Sequence, residues 1–134
     1  MAKLNGFSKK QILEIYYKMA LSRSLDKKML ILLKQGKSFF HMGASGHEAA
    51  QLAASLIIKP GKDWSYPYYR DGAYCLGLGM TSREQLLSFL SKADDPNSGG
   101  RQMPMHYGHK DLRIVSQSSP TGSQFLQALG SSLA

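Results

Sequence analysis

Three capping-box patterns divide the sequence into predicted helices. In each, Ser or Thr is followed three residues later by Gln or Glu, and apolar residues then recur at helical spacing. The pairs are Ser8 with Gln11, Ser45 with Glu48, and Thr81 with Glu84. Such a pair satisfies backbone N–H groups at a helix start. The first predicts a long helix over about 8–35, ending at Gly36. Within it, Arg23 and Asp26 stand three apart, which predicts a surface ion pair.

Two other stretches predict extended backbone. Residues 64–72 are rich in aromatic side chains but contain Pro67, which argues against a central strand. Ile114–Gln117 is a second candidate strand, and a polar turn over 118–122 leads from it into a helix that starts near Ser123. With a short helix expected over 73–79, the order of elements predicts a helix-rich α/β domain that contains the start of a parallel sheet.

Residues 92–113 show no periodicity and form a long predicted loop. A structureless loop of about 20 residues is uncommon in a compact domain and is usually functional or disordered. Arg101, His106 and His109 in this loop could bind an acidic substrate or exchange protons near neutral pH. A solvated loop histidine is the alternative. A metal site on the two histidines would need further ligands, which the sequence does not make evident.

The charge balance and the cysteine count exclude several classes of protein. Lys and Arg number 17 against 9 Asp and Glu, a net charge of +8, without a basic tail. Cys75 is the single cysteine, so an intramolecular disulfide framework is excluded, and we expect a buried, inert thiol. No apolar run reaches the roughly 18 residues of a membrane span, and the start lacks a signal-peptide core. We therefore expect a soluble, intracellular protein.

Two segments could bind an anion. Arg70, which follows Tyr69, offers a guanidinium fork that matches phosphate geometry, although a surface pair with Asp71 is an alternative. The turn over 118–122 could hold an anion on helix amides, or a hard cation on hydroxyl oxygens, although the local pattern alone favours an ordinary N-cap turn. Glu48 is most simply a capping-box residue. A basic helical interaction module or nucleic-acid-binding module is an alternative interpretation of the charge.

Several segments, taken in order, resemble one family. They are Met19, Arg23 and Asp26; Gln35-Gly36-Lys37; Gly46-His47-Glu48-Ala49; Tyr69-Arg70-Asp71; the run from Gly100 to Gly108 (Gly-Arg-Gln-Met-Pro-Met-His-Tyr-Gly); and Ser118-Ser119-Pro120 with Gln124, Ala128 and Gly130. Together they are similar to the α subunit of the thiamine-diphosphate-dependent decarboxylating component of 2-oxo acid dehydrogenase complexes. The run and the Ser-Ser-Pro turn look most like its branched-chain members. The resemblance implies that residues 1–134 are the N-terminal part of a thiamine-diphosphate-binding domain.

The resemblance also implies roles for individual residues. Tyr69, Arg70, Ser119 and Thr121 match cofactor-binding positions, and His106 and Arg101 match the loop near the cofactor. A potassium site seen in branched-chain members matches Ser118, Pro120, Ser123 and Gln124. Ser123 replaces a Thr, Thr121 a frequent Leu, His47 a Gln, and Tyr68 a Gln expected near the substrate.

What the family would add lies outside this sequence. The Mg²⁺ ligands are expected beyond Ala134, and the last predicted helix runs into that residue without a stop signal, so we expect a truncated chain. The implied partners are a β subunit or fused β half, a lipoyl acyltransferase component and a small 2-oxo acid. An oligomeric assembly is implied as well, and neither nucleic acid nor a membrane is an expected partner. The implied location is the cytoplasm, or the mitochondrial matrix in a eukaryote. Alone, the chain is expected to be inactive. Pyruvate or acetoin dehydrogenase is the alternative within the family.

Overall fold

The computed structural model describes residues 6–134. The first five residues of the predicted domain over 1–134 lie outside the described residues. Helix α1 spans Lys9–Lys34 and begins at the predicted capping box, since the Ser8 hydroxyl accepts from the Gln11 amide. It ends where Gly36 adopts a left-handed conformation (φ 70°), so both predicted boundaries are confirmed.

Three shorter helices pack beside α1. They are α2 (Glu48–Ser55), α3 (Gly72–Leu78) and α4 (Ser82–Phe89), and α4 carries the predicted Thr81–Glu84 capping box. The buried cluster lies among these helices and the loop that follows them; it contains Leu25, Met29, Cys75, Leu76, Leu78, Met80, Phe89, Met105, Tyr107 and Ile114. Burial raises the pKa of the Cys75 thiol well above its ordinary value, which agrees with the predicted inert thiol.

The predicted second capping box is wrong. His47 is the residue that precedes α2, and it makes no side-chain capping bond. Ser45 donates instead to a carboxylate oxygen of Asp26, and Glu48 pairs with Nε of Arg23 at 2.7 Å. The predicted Arg23–Asp26 pair is therefore also wrong. The physical reason is that α2 and its loop bring stronger partners to each side chain than a neighbour three residues away.

A sheet does not form in residues 6–134, which corrects that part of the fold prediction. The two expected strands meet in one parallel bridge, in which the Ser65 amide donates to the Arg113 carbonyl and the Val115 amide donates to the Ser65 carbonyl. Ile114 also forms an antiparallel bridge with His109. The pairing ends there because Pro67 follows close behind Ser65. The extended backbone at these two stretches was thus predicted correctly, but the length of the pairing between them was overestimated.

The long loop is ordered by a buried carboxylate. Asp95 accepts hydrogen bonds from the backbone amides of Asn97, Ser98 and Gly100. Gly100 has a φ of 73°, and a Cβ there would lie 2.5 Å from the Ser91 carbonyl oxygen, so only glycine fits. The loop therefore has a fixed path without helix or strand.

Helix α5 spans Ser123–Leu133 and begins at the predicted position, after Gly122 in a left-handed conformation. None of its residues is buried, and its large apolar side chains are exposed. Across the described range, every helix is too short or too polar to cross a lipid bilayer.

Candidate functional site

Arg70 lies at the centre of the candidate site, in the turn that leads into α3. The Asp71 carboxylate accepts from the Tyr68 amide at 2.7 Å and closes this turn, and Gln51 of α2 donates to the Arg70 carbonyl at 3.0 Å. The Arg70 side chain donates from Nη1 to the carbonyl of Gly43 at 2.7 Å. Arg70 and Asp71 form no ion pair with each other in the described part of the chain, so the surface-pair alternative is wrong.

Two tyrosine hydroxyls lie beside this arginine. The guanidinium carbon of Arg70 is 5.5 Å from the centre of the Tyr69 ring, within range of a cation–π contact. The Tyr68 hydroxyl donates to the Tyr69 hydroxyl. Hydrogen bonding to the Tyr69 hydroxyl, and to a smaller degree to the Thr121 hydroxyl, lowers the pKa of Tyr68. The hydrogen bond with Tyr68 raises the pKa of Tyr69. Thr121 belongs to the turn before α5, so the two predicted cofactor-binding stretches lie next to each other.

His106 joins the long loop to the same turn. Its Nε2 lies 2.8 Å from Oγ of Ser119, and its ring centre is 6.4 Å from that of Tyr69. The residue is 8% exposed, so the long loop holds it inward rather than in solvent. The structure therefore brings together five of the predicted site residues: Tyr69, Arg70, His106, Ser119 and Thr121.

Arg101 makes a different set of contacts. Its Nε donates to the carbonyl of Ser98 at 2.8 Å, and its side chain is exposed. Within residues 6–134 it forms no hydrogen bond with the other predicted site residues. His109 also lies elsewhere, with Nε2 3.4 Å from a carboxylate oxygen of Glu84, so the two loop histidines do not share a site.

The predicted potassium ligands lie around the start of α5. The Ser123 amide donates to the Pro120 carbonyl at 3.3 Å, and Ser123 Oγ lies 3.4 Å from the Ser118 carbonyl. The Ser118 carbonyl and the Ser123 hydroxyl are neutral oxygens, which suit a hard monovalent cation, but among residues 6–134 the Gln124 side chain forms no hydrogen bond that joins it to them. No group of three or more His, Cys, Asp or Glu side chains within 6–134 is arranged to hold a metal ion.

Sequence reasoning missed two residues that support the candidate site, Gln102 at His106 and Gly43 at Arg70. Gln102 donates from Nε2 to the His106 carbonyl at 2.7 Å and to Ser116 Oγ at 2.9 Å. Gln102 belongs to the Gly100–Gly108 run, so its motif was noticed while its role was not. Gly43, the partner of Arg70, gave no signal of its own, because a carbonyl oxygen is present at every residue.

Comparison with known proteins identifies the family. The sequence profile described as "Dehydrogenase E1 component" matches residues 16–134. The chain belongs to the dehydrogenase E1 component family. The resemblance inferred from the motifs is therefore confirmed at this level. The matched residues include the whole candidate site, from the loop at Gly43 to the turn before α5.

Three curated relatives of this E1 chain illustrate the similarity. The 2-oxoisovalerate dehydrogenase subunit alpha of Bacillus subtilis (strain 168) is 42% identical over 129 residues, which cover 96% of this chain and 39% of the relative. The mitochondrial subunit alpha of Caenorhabditis elegans is 32% identical, with 96% and 30% covered. That of Pseudomonas aeruginosa is 32% identical, with 92% and 30% covered. The chain thus spans between 30% and 39% of their length.

Proposed function

We propose that this chain is part of the α subunit of a thiamine-diphosphate-dependent 2-oxo acid dehydrogenase, with a branched-chain 2-oxo acid as substrate. The observation that carries the proposal is that His106 links Tyr69 to the turn before α5: its ring centre is 6.4 Å from that of Tyr69, and its Nε2 is 2.8 Å from Oγ of Ser119, about 50 residues further along the chain. The names of the relatives favour 2-oxoisovalerate over pyruvate or acetoin as substrate. A thiamine-diphosphate-binding fold for the complete domain, of which residues 1–134 would be the N-terminal part, belongs to the same proposal.

The residues present fit the diphosphate group of the cofactor. Arg70 offers a charged donor fork, of which one N–H is bound to Gly43, and Tyr69 and Thr121 offer hydroxyl donors. Backbone amides at the start of α5 add further donors to an anion. The net charge of +8 favours the approach of an anionic cofactor and substrate. Mg²⁺ ligands are proposed to lie in sequence beyond Ala134, as the resemblance to the family implies.

Thiamine diphosphate, when bound, supplies the electron sink that permits loss of CO₂ from a 2-oxo acid. The residues of this chain would bind its diphosphate, orient it and exchange a proton at His106. Nε2 of His106 faces the hydroxyl of solvent-exposed Ser119, so this nitrogen can take up a proton by way of the hydroxyl. Arg101 is proposed to act at the substrate carboxylate through its terminal guanidinium nitrogens, because its Nε is bound to the Ser98 carbonyl.

The remaining parts of the proposal follow from the family. They are transfer of the acyl group to a lipoyl acyltransferase component, a partner β subunit or fused β half, an oligomeric assembly and a location in the cytoplasm or mitochondrial matrix. A potassium ion on Ser118, Pro120, Ser123 and Gln124 is proposed as well. No observation on the described residues favours the alternative of a nucleic-acid-binding module.

The complete protein, co-expressed with the proposed β subunit, tests the substrate. Ferricyanide reduction is measured with 2-oxoisovalerate, pyruvate or acetoin, with and without thiamine diphosphate. We expect cofactor-dependent turnover with the highest kcat/KM for 2-oxoisovalerate. A preference for pyruvate or acetoin would move the protein to another branch of the family, and turnover that is indifferent to thiamine diphosphate would refute the proposal.

A further inference from the structure

The loop over residues 43–46 lies between Arg70 and two carboxylates that the proposed site does not use. On one side, the Gly43 carbonyl accepts from Nη1 of Arg70 at 2.7 Å. On the other side, the loop rests directly on Asp26, since a Cβ added at Gly43 would stand 3.4 Å from its Oδ2. The position of the Gly43 carbonyl therefore depends on what holds this loop.

Asp26, in the middle of α1, holds the two residues that follow Gly43. Its Oδ2 accepts from the Ala44 amide at 3.0 Å and from Ser45 Oγ at 3.0 Å. Burial raises the pKa of Asp26, but the His41 ring, the Ala44 amide and the Ser45 hydroxyl together outweigh it, so the net pKa is lowered. The carboxylate is therefore ionised when it binds the loop, and such charged bonds are about twice as strong as neutral ones.

Glu48 secures the far end of the same loop. Its Oε2 accepts from the Gly46 amide at 2.8 Å, while its Oε1 pairs with Arg23 of α1 at 2.7 Å. Glu48 is 4% exposed, so this pair is shielded from water on the carboxylate side. With Asp26 it fixes the loop to α1 at three consecutive residues, and α1 is the longest element of the described chain.

We propose that Asp26 is a positioning residue for Arg70: it fixes the Gly43 carbonyl that aims the guanidinium at the cofactor diphosphate. The inference rests on the proposed function, because it assumes that Arg70 binds the diphosphate. A guanidinium held in place before binding loses less conformational freedom when the anion arrives, so a fixed Gly43 increases affinity. Asp26 touches no ligand in this arrangement and acts only through the loop.

A double-mutant cycle tests the inference in the complete protein, co-expressed with the proposed β subunit. The Kd for thiamine diphosphate is measured by titration calorimetry without 2-oxo acid. We expect Asp26→Ala to weaken binding by about three- to ten-fold, and Ser45→Ala, which removes one of the two bonds, to weaken it less. Asp26→Asn keeps an acceptor oxygen in place and should restore affinity to within about two-fold of the parent.

Arg70→Ala is the second arm of the cycle. If Asp26 acts through Arg70, Asp26→Ala and Ser45→Ala should have no further effect on Kd in the Arg70→Ala background, within about two-fold. Glu14→Gln removes another carboxylate from α1, one paired with Lys18 on the surface, and serves as the matched control that leaves Kd unchanged.

Each outcome decides between the two proposals. Additive effects of Asp26→Ala and Arg70→Ala, or an Asp26→Asn variant as weak as Asp26→Ala, would overturn the positioning role while leaving Arg70 in the site. An unchanged Kd for Asp26→Ala and Ser45→Ala would do the same. If Asp26→Ala does not fold, Ser45→Ala decides in its place. An unchanged Kd for Arg70→Ala would instead refute the proposed site, and the inference with it.

Discussion

Nε2 of His106 lies 2.8 Å from Oγ of Ser119, which joins the long loop to the turn before α5. On the other side of the ring, Nδ1 faces the carbonyl oxygens of Met103 and Pro104 at 3.1 and 3.3 Å. Carbonyl oxygens only accept, so the hydrogen of the neutral ring lies on Nδ1. Nε2 therefore accepts from the Ser119 hydroxyl, and the two residues form a directed pair.

Removal of this hydroxyl should slow turnover of the complete enzyme. We expect Ser119→Ala to lower kcat about five-fold, which corresponds to the roughly 1 kcal/mol of a typical hydrogen bond, and Ser119→Thr to retain most of it. Ser132→Ala, on the exposed part of α5, is the control. The tautomer of His106 is read from its ring ¹⁵N chemical shifts. A ring protonated on Nε2, or equal kcat for the two alanine variants, would contradict the assignment.

Gly77 is required by the close packing of α3 on α2. A Cβ at this position would stand 2.0 Å from Oγ and 2.4 Å from Cβ of Ser55. We expect Gly77→Ala to lower the free energy of unfolding by about 1–3 kcal/mol, because the helices must move apart. Urea unfolding measures the change. Gly130→Ala is the matched control, since no atom lies within 4 Å of its added Cβ. A Gly77→Ala variant as stable as this control would show that the helices are not in this contact.

Glu48 should make the fold sensitive to acid. The hydrogen bond from Arg23 lowers the pKa of Glu48 below its ordinary value of 4.5, although burial opposes it. A carboxyl with a lower pKa in the folded state stabilises the fold fully above its unfolded pKa, and this stability is lost as the pH falls through the folded pKa. Glu48→Gln should therefore be less stable than the parent at neutral pH, with a difference that shrinks below about pH 4.5.

Thermal unfolding between about pH 3 and 7 measures this effect. Glu14→Gln changes the same kind of side chain on an exposed ion pair with Lys18, and its Tm should follow that of the parent at every pH. If the difference between Glu48→Gln and the parent stayed constant as the pH fell, the lowered pKa of Glu48 would not contribute to stability.

Local signals in the sequence predicted local structure well. The capping box at Ser8, the stop at Gly36 and the helix start at Ser123 are where the spacing placed them, because short-range hydrogen bonds determine such boundaries. The pattern at Ser45 and Glu48 was wrong because the partners of these two side chains are distant in sequence. Spacing along the chain does not record that Arg23 and Asp26 of α1 compete for these side chains.

The sequence indicated which residues form the candidate site, but it did not indicate the contacts that hold them in place. The motifs indicated Arg70 and Ser119, and the resemblance implied that they meet, but the carbonyl of Gly43 and the support from Gln102 depend on the tertiary fold. The parallel sheet was overestimated because residues around Ser65 have strand-like composition, while only one bridge to Ile114 forms in the described chain.

The affinity of the complete protein for thiamine diphosphate tests the central claim most directly. Arg70→Ala removes the charged fork beside Tyr69, and we expect Kd to rise at least about ten-fold, equivalent to about 1.4 kcal/mol. Arg83→Ala removes an exposed arginine that pairs with Asp94, so its Kd should equal that of the parent. A Kd for Arg70→Ala that matched the parent's would contradict the account of this site.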